Sequence, residues 1–275
     1  MEEPIGLVAG EGRLPILMAQ GIRAAGRRVA CVALGSDVLA GLASCSDLIA
    51  KAGVARLGRW IRLLRRWDVS EAVMVGRVQK TRMYDPLRIA RLIPDWRAAR
   101  LWYRTIRHDR RNEALLSAVA DELSRAGIRL IDSTKYIPEQ LAQKGVMTHC
   151  HPSAERMADV EFALPIIRQI GVLDIGQSIA VKEREIIAVE AIEGTDAMIQ
   201  RAGQLCRTGQ WSLVKVARPD QDMRFDVPTV GLKTIAKLKQ AEAACLAVEA
   251  GKVILLDKPQ LLEAADRARI AVVGV

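Results

Sequence analysis

The feature that most constrains this chain is an alternation in its first half. Short apolar runs alternate with longer segments of helical period. Residues 5–9 (Ile-Gly-Leu-Val-Ala) predict a strand, 14–25 a helix stopped by Gly26, and 29–34 a second strand. The pattern continues with a helix over 56–67, a strand over 72–75, a helix over 112–126 stopped by Gly127, and a strand over 128–131. Apolar runs of four to six residues without polar alternation suit strands buried on both faces. Strands alternating with helices then imply a parallel sheet covered by helices on both sides.

The second half is less regular. Residues 136–153 contain two prolines, a glycine and polar residues, and read as a linker or a helix-loop joint. Ser153 is placed to cap a helix running to Ile170 and ended by Gly171. Residues 178–181 and 186–191 predict a strand pair around the charged turn 182–185. Helices are expected over 196–206, 234–250 and 259–269, and strands over 213–216, 253–256 and 270–273. The fold class expected is α/β with two domains. A Rossmann-like parallel domain spans 1–135, and a catalytic α/β domain with a mixed sheet spans 136–275, with the site at their interface.

Half of the 275 residues are hydrophobic, which allows a buried core and excludes disorder as the main state. No apolar run reaches the roughly 18 residues that a transmembrane helix needs. The acidic N-terminus does not resemble a secretory signal. Five scattered cysteines, an odd number without metal-knuckle spacing, suit a reduced, cytoplasmic protein. The net charge of +9 is concentrated early: residues 1–142 carry 24 Lys and Arg against 15 Asp and Glu, whereas 143–275 carry 17 of each. Within the basic stretch 56–111 lie Trp60, Trp67, Tyr84, Trp96, Trp102 and Tyr103. Such a region suits a nucleic acid, a phosphorylated substrate or an acidic membrane surface. In the helix 56–67, Leu57, Trp60, Ile61, Leu64 and Trp67 form an apolar stripe among Arg56, Arg59, Arg62 and Arg66. Packing on the chain's own sheet is the favoured reading over an interfacial helix on lipid.

Four segments could carry chemistry. Gly10 and Gly12 lie between the first strand and first helix, where backbone N–H groups can meet a phosphate or the chain can simply turn. Arg77 and Lys80 follow the strand 72–75, at the end of a parallel sheet where ligands bind; a charged surface turn is the alternative. Thr195 and Asp196, in the sequence Glu193-Gly-Thr-Asp196, open a helix as substrate-binding candidates or as caps. In 221–228 (Gln-Asp-Met-Arg-Phe-Asp-Val-Pro), an extended chain would put Asp222, Arg224 and Asp226 on one face. Two carboxylates flanking a guanidinium suit a divalent metal with a phosphate, and oxygen ligands favour Mg²⁺ or Mn²⁺; a surface salt-bridge ladder is the alternative. Lys215 and Arg218 add positive charge just upstream. The three histidines have no matching metal ligands, and there is no Ser-His-Asp or Cys-His arrangement.

At these residues the chain resembles the UDP-2,3-diacylglucosamine pyrophosphatases of lipid A synthesis, of the metal-dependent kind unrelated to the calcineurin-like enzymes. The resemblance runs over nearly the whole chain. It rests on residues 6–15, on Gly76-Arg-Val78, on Glu193-Gly-Thr-Asp196, and on Pro219-Asp-Gln-Asp-Met-Arg-Phe-Asp-Val-Pro228 followed by Gly231. It implies two domains with the ligand between them, a Mg²⁺-type requirement, and hydrolysis of UDP-2,3-diacylglucosamine to UMP and 2,3-diacylglucosamine 1-phosphate. Asp226 matches the essential metal-site aspartate, with Asp222 and Arg224 beside it. Gly10, Gly12, Arg77, Thr195, Asp196 and Lys215 are the expected substrate contacts. The sequence departs from the family pattern at Arg218, where lysine is usual, and at Glu11, where glycine is usual. The diacylated substrate implies work at the cytoplasmic face of the inner membrane by peripheral attachment to its anionic surface. A homodimer is left open. Two other classes compete: a nucleic-acid-binding protein, which leaves the acidic motif unexplained, and a nicotinamide-dependent oxidoreductase, whose glycine spacing is absent.

Overall fold

The computed structural model describes residues 2–78, 94–103 and 112–275. Lys80 and Tyr84, singled out above, and His108, one of the three histidines, lie outside them. The chain forms two compact units, and the division is not contiguous in sequence. The first comprises Met1–Pro138 together with Asp222–Asp226, and the second Glu139–Gln221 with Val227–Val275.

The first unit runs β1 (Ile5–Ala9), α1 (Leu14–Ala24), β2 (Val29–Ala33), α2 (Ser36–Leu42), β3 (Leu48–Lys51), α3 (Leu57–Arg66), β4 (Glu71–Val75), α4 (Trp96–Leu101), α5 (Asn112–Arg125) and β5 (Arg129–Leu130). The five strands form a parallel sheet in the order β3-β2-β1-β4-β5. The chain winds one way from β1 to β3 and then returns to the other side of β1, so the order reverses between β1 and β4. Strands β1 and β2 are buried along their full length. The elements α2 and β3 do not stand out in the sequence, because residues 35–51 mix small, polar and apolar residues without a clear period.

Helix α3 settles the reading of its apolar stripe. Leu57, Trp60, Ile61 and Leu64 are all less than 5% exposed. They pack with Val8, Ala30, Val32, Ala72 and Met74 of the sheet. The stripe therefore belongs to the core, and the arginines at 56, 59, 62 and 66 stay outside.

The second unit runs β6 (Gly145–Val146), α6 (Ala154–Val172), β7 (Ser178–Lys182), β8 (Glu185–Val189), α7 (Thr195–Leu205), β9 (Ser212–Lys215), β10 (Thr229–Val230), α8 (Leu232–Gln240), β11 (Cys245–Val248), β12 (Ile254–Leu255), α9 (Lys258–Arg267) and β13 (Ala271–Gly274). Six of the strands make a mixed sheet, β6-β13-β11-β9-β7-β8. Its centre, β13-β11-β9, is parallel, and its flanks are antiparallel. Strands β10 and β12 pair separately. Alternate side chains feed two cores. Leu213, Leu246 and Val272 face helices α7, α8 and α9, while Val214, Ala247 and Val273 face α6.

One expectation fails here. Residues 234–250 do not form a single helix: α8 stops at Gln240, and Cys245–Val248 is the strand β11. The alanines and glutamates of 241–250 favour a helix locally. The site between β9 and β13, buried on both faces, overrides that propensity. Helix α6 also passes Gly171 and ends after Val172, with the left-handed residue at Asp174.

The charged turn joining β7 and β8 is tight, with Glu183 and Arg184 both at positive φ. Neither is a glycine, and the turn is held by a buried partner. The Asp159 carboxylate, 2% exposed, accepts the Arg184 N–H at 2.8 Å and pairs with Arg156 at 3.1 Å. Ser153 caps α6 as the sequence implies, its hydroxyl accepting the Arg156 N–H at 3.3 Å. Ser153→Ala should therefore lower stability by about 1 kcal/mol, while Ser153→Asp should retain it. Denaturant unfolding of the three proteins measures this.

Candidate active site

At the order reversal of the first sheet, the loops after β1 and β4 lie against each other. Glu11 and Arg77 exchange backbone hydrogen bonds in both directions, each 2.8 Å. Gly10 donates to the Val75 carbonyl at 2.8 Å. A Cβ at Gly10 would sit 2.7 Å from the Arg77 carbonyl oxygen, and Gly76, at φ +96°, has equally close backbone opposite it. Gly10 and Gly76 are thus required for two backbones to touch. Gly12, also at positive φ, faces open space. Beside it a pocket of about 180 Å³ is lined by Glu11, Gly12, Pro15, Asp37 and Leu42 among others. Its lining has two carboxylates and no cation. The carboxylate at position 11 thus stands where a phosphate loop would need positive charge.

The Arg-Phe-Asp segment is part of the first unit. Ser133, just beyond β5, donates from both its N–H (2.9 Å) and its hydroxyl (2.8 Å) to the Met223 carbonyl. Phe225, half-buried, packs against the core cluster to which α3, α5 and the sheet contribute. The segment is not extended. The Asp226 N–H bonds to the Asp222 carbonyl at 3.1 Å, one helical turn away. The expectation of a shared extended face therefore fails, because the Ser133 anchor and the packed, half-buried phenyl ring close the chain into a turn. Within it Arg224 grips Asp222: Nε lies 2.9 and 3.1 Å from the two carboxylate oxygens, and Nη2 lies 2.6 Å from one of them. The Arg224 guanidinium, aided by the Arg224 backbone N–H, holds the Asp222 carboxyl below the usual range against the opposing effect of burial. Among the described residues, no group of three or more His, Cys, Asp or Glu side chains gathers as a metal cage.

In the second unit, Thr195 and Lys215 come together. Lys215 ends β9 and is 7% exposed. Its Nζ donates to the Thr195 hydroxyl at 2.8 Å and reaches the Ser178 hydroxyl at 3.4 Å. Thr195 in turn donates to Glu190 at 2.8 Å. Thr195 is the first residue of α7, and Gly194, at φ +82°, occupies the capping position. Asp196 points elsewhere, paired with Lys233 and Lys237 of α8 at 3.3 Å each. Arg218 pairs with Asp174, and its backbone and guanidinium both bond Gln221. Glu190 opens the segment 190–196, yet the sequence assigns its carboxylate no role. The available signal was an acidic residue directly following an apolar strand. His149, dismissed as a ligand, bonds Asp266 at 2.9 Å.

Comparison with known proteins covers both units. Residues 4–140 match the family model described as the LpxI N-terminal domain, and residues 143–273 match the LpxI C-terminal domain. The chain is 32% identical over 279 residues to a protein of Caulobacter vibrioides named UDP-2,3-diacylglucosamine pyrophosphatase LpxI. The match covers 98% of this chain and 97% of that one.

The Asp222–Arg224 pair has a pH signature. A carboxyl depressed in the folded state stabilises fully above its unfolded pKa, about 3.9, and that contribution is lost as pH falls through the folded value. Arg224 is 42% exposed, so solvent screening limits the contribution to about 1 kcal/mol or less. Asp222→Asn should accordingly show a small stability deficit at pH 7 that disappears under acid. Urea midpoints collected across the acid range would reveal it, and a deficit independent of pH would rule out the ion pair as its source.

Proposed function

Since the chain belongs to the LpxI family, we propose that it hydrolyses UDP-2,3-diacylglucosamine to UMP and 2,3-diacylglucosamine 1-phosphate. It is a hydrolase acting on a pyrophosphate bond. The observation that carries the substrate assignment is the near full-length match to a relative bearing that name. Hydrolysis of a pyrophosphate adds negative charge to the phosphoryl oxygens and the leaving phosphate. Lys215, a buried ammonium braced by Thr195, is the group in the second unit suited to meet that charge. Family membership sets aside the oxidoreductase and nucleic-acid readings.

A divalent ion, Mg²⁺ with Mn²⁺ as substitute, fits the chemistry of the Arg-Phe-Asp turn. Mg²⁺ is commonly held by one or two carboxylates, with water and substrate phosphates completing the set. Asp226 would be its protein ligand. Asp222 is engaged by Arg224 and serves better as the brace of the turn than as a second ligand. Such an ion supplies charge neutralisation at the pyrophosphate and a lowered pKa for water.

The experiment is incubation of the purified protein with the lipid nucleotide and Mg²⁺, following UMP. Release of UMP supports the function, and its absence overturns it. EDTA should abolish the reaction and Mg²⁺ restore it, and full turnover in chelated buffer would refute the metal. Asp226→Ala should lose about a hundredfold or more in turnover.

A lipid substrate requires access to a bilayer. No helix among the described residues is long and apolar enough to cross a membrane; the proposed mode is peripheral attachment, on an exposed aromatic and basic surface. Trp96 (82% exposed), Trp102 and Tyr103 present aromatic surface on and just beyond α4. Helix α4 packs beside α3, where the Arg59 N–H bonds Asp95. Exposed aromatics with arginines nearby suit an anionic interface, whereas the buried Trp60 has no part in it. The protein should co-sediment with anionic vesicles and not neutral ones, and salt should release it. Replacing Arg59, Arg62 and Arg66 with Gln should weaken that binding, each charge contributing about 1 kcal/mol. Undiminished binding by the triple variant would exclude α3 as the basic element.

A further inference from the structure

The cluster around Lys215 contains a carboxylate whose role no motif supplies. Glu190 directly follows β8. Its Oε1 accepts the Thr195 hydroxyl proton at 2.8 Å. Its Oε2 is buried and has no hydrogen-bond partner among the described residues. A buried carboxylate oxygen without a partner is costly, and proteins retain such a group chiefly where it serves a purpose.

The loop that carries Glu190 is pinned. Arg201 of α7 donates to the Val189 carbonyl at 2.8 Å and to the Glu193 carboxylate at 2.6 Å. The Ala191 N–H bonds the same Glu193 side chain at 3.2 Å, and the Glu190 N–H bonds the Ser178 carbonyl at 2.9 Å. The carboxylate is therefore held at a fixed position.

The directions of the hydrogen bonds follow from donor counting. Lysine has only donors, a carboxylate only accepts, and a threonine hydroxyl has one proton and two lone pairs. Once Thr195 gives its proton to Glu190, it meets Lys215 as an acceptor. Remove the carboxylate and the Thr195 proton can rotate, so the oxygen no longer presents a fixed lone pair to the ammonium.

We propose that Glu190 is a positioning residue for pyrophosphate hydrolysis, acting through Thr195 to fix the Lys215 ammonium where the substrate's phosphate charge is met. The proposal rests on the function given above. Thr195 then serves Lys215 as an acceptor, and its hydroxyl proton goes to Glu190 and not to the substrate. Ser178 is the weaker second support, at 3.4 Å.

The test combines kinetics with a readout independent of activity. In Glu190→Ala, kcat should fall about tenfold or more. Glu190→Gln keeps an acceptor of the same shape and should recover to within about threefold of the parent. In a Lys215→Met background, Glu190→Ala should add no further loss, because the residue it acts through is gone. Alongside, an amine-acylating reagent with peptide mass spectrometry measures how tightly Lys215 is held. Its labelling should be about tenfold faster in Glu190→Ala and near the parental rate in Glu190→Gln. Thermal melts confirm that each variant is folded. The proposal is overturned if labelling of Lys215 is unchanged in Glu190→Ala, or if that change costs the same activity with and without Lys215. If the parent releases no UMP while the labelling pattern holds, the assigned reaction fails and the Glu190 hold on Lys215 stands.

Discussion

Lys215 brings an ammonium group to a position that is only 7% exposed. A charge so placed is costly unless polar groups replace its lost water. Much of the local structure of the second unit answers that need. Strand β9 delivers Lys215 opposite Ser178 of β7. Helix α7 begins at Thr195, so that its first side chain reaches the ammonium. The loop after β8 is tied down by Arg201, which sets Glu190 against Thr195. Three consecutive elements thus converge on one cation, the group to which the proposed function assigns the substrate's phosphate charge.

The first unit faces a different constraint. Its parallel sheet reverses order between β1 and β4, the place where open α/β sheets commonly bind ligands. Here the backbones of the two loops press together, with Gly10 against Gly76 and Glu11 bridged to Arg77. The neighbouring pocket is lined by Glu11 and Asp37. A dinucleotide-binding fold would keep this crevice open for a pyrophosphate. The acidic turn Asp222–Asp226 is instead anchored on this unit by Ser133 and Phe225. The unit thus has the strand order of a nucleotide-binding sheet and a different chemical group to offer.

Much of the fold was legible because it depends on local signals. The strands at 5–9 and 29–33, and the run 72–75 within β4, are short apolar runs. The cap at Ser153 follows from residue type and spacing, whereas the positive-φ turn at Glu183 and Arg184, marked in the sequence only as a charged turn, is held by the distant Asp159. The parts that were not legible involve partners distant in sequence. The strand Cys245–Val248 reads as helix until β9 and β13 enclose it. The Arg-Phe-Asp segment reads as extended until Ser133, 90 residues away, captures the Met223 carbonyl. Among the candidate site residues, Thr195 and Lys215 do meet, Asp222 turns to Arg224, and Asp196 turns to the lysines of α8.

The sequence alone determined the α/β class, the covered parallel sheet and the family, because buried strands and specific motifs are written in contiguous residues. It also placed the excess positive charge in the first half. Tertiary structure alone decided which polar groups face one another. Hydrogen bonds such as Lys215 to Thr195, 20 residues apart, or Ser133 to Met223, depend on where strands end in space. A carboxylate such as Glu190 acquires its part only from that placement, since its residue type is equally at home on any solvated loop.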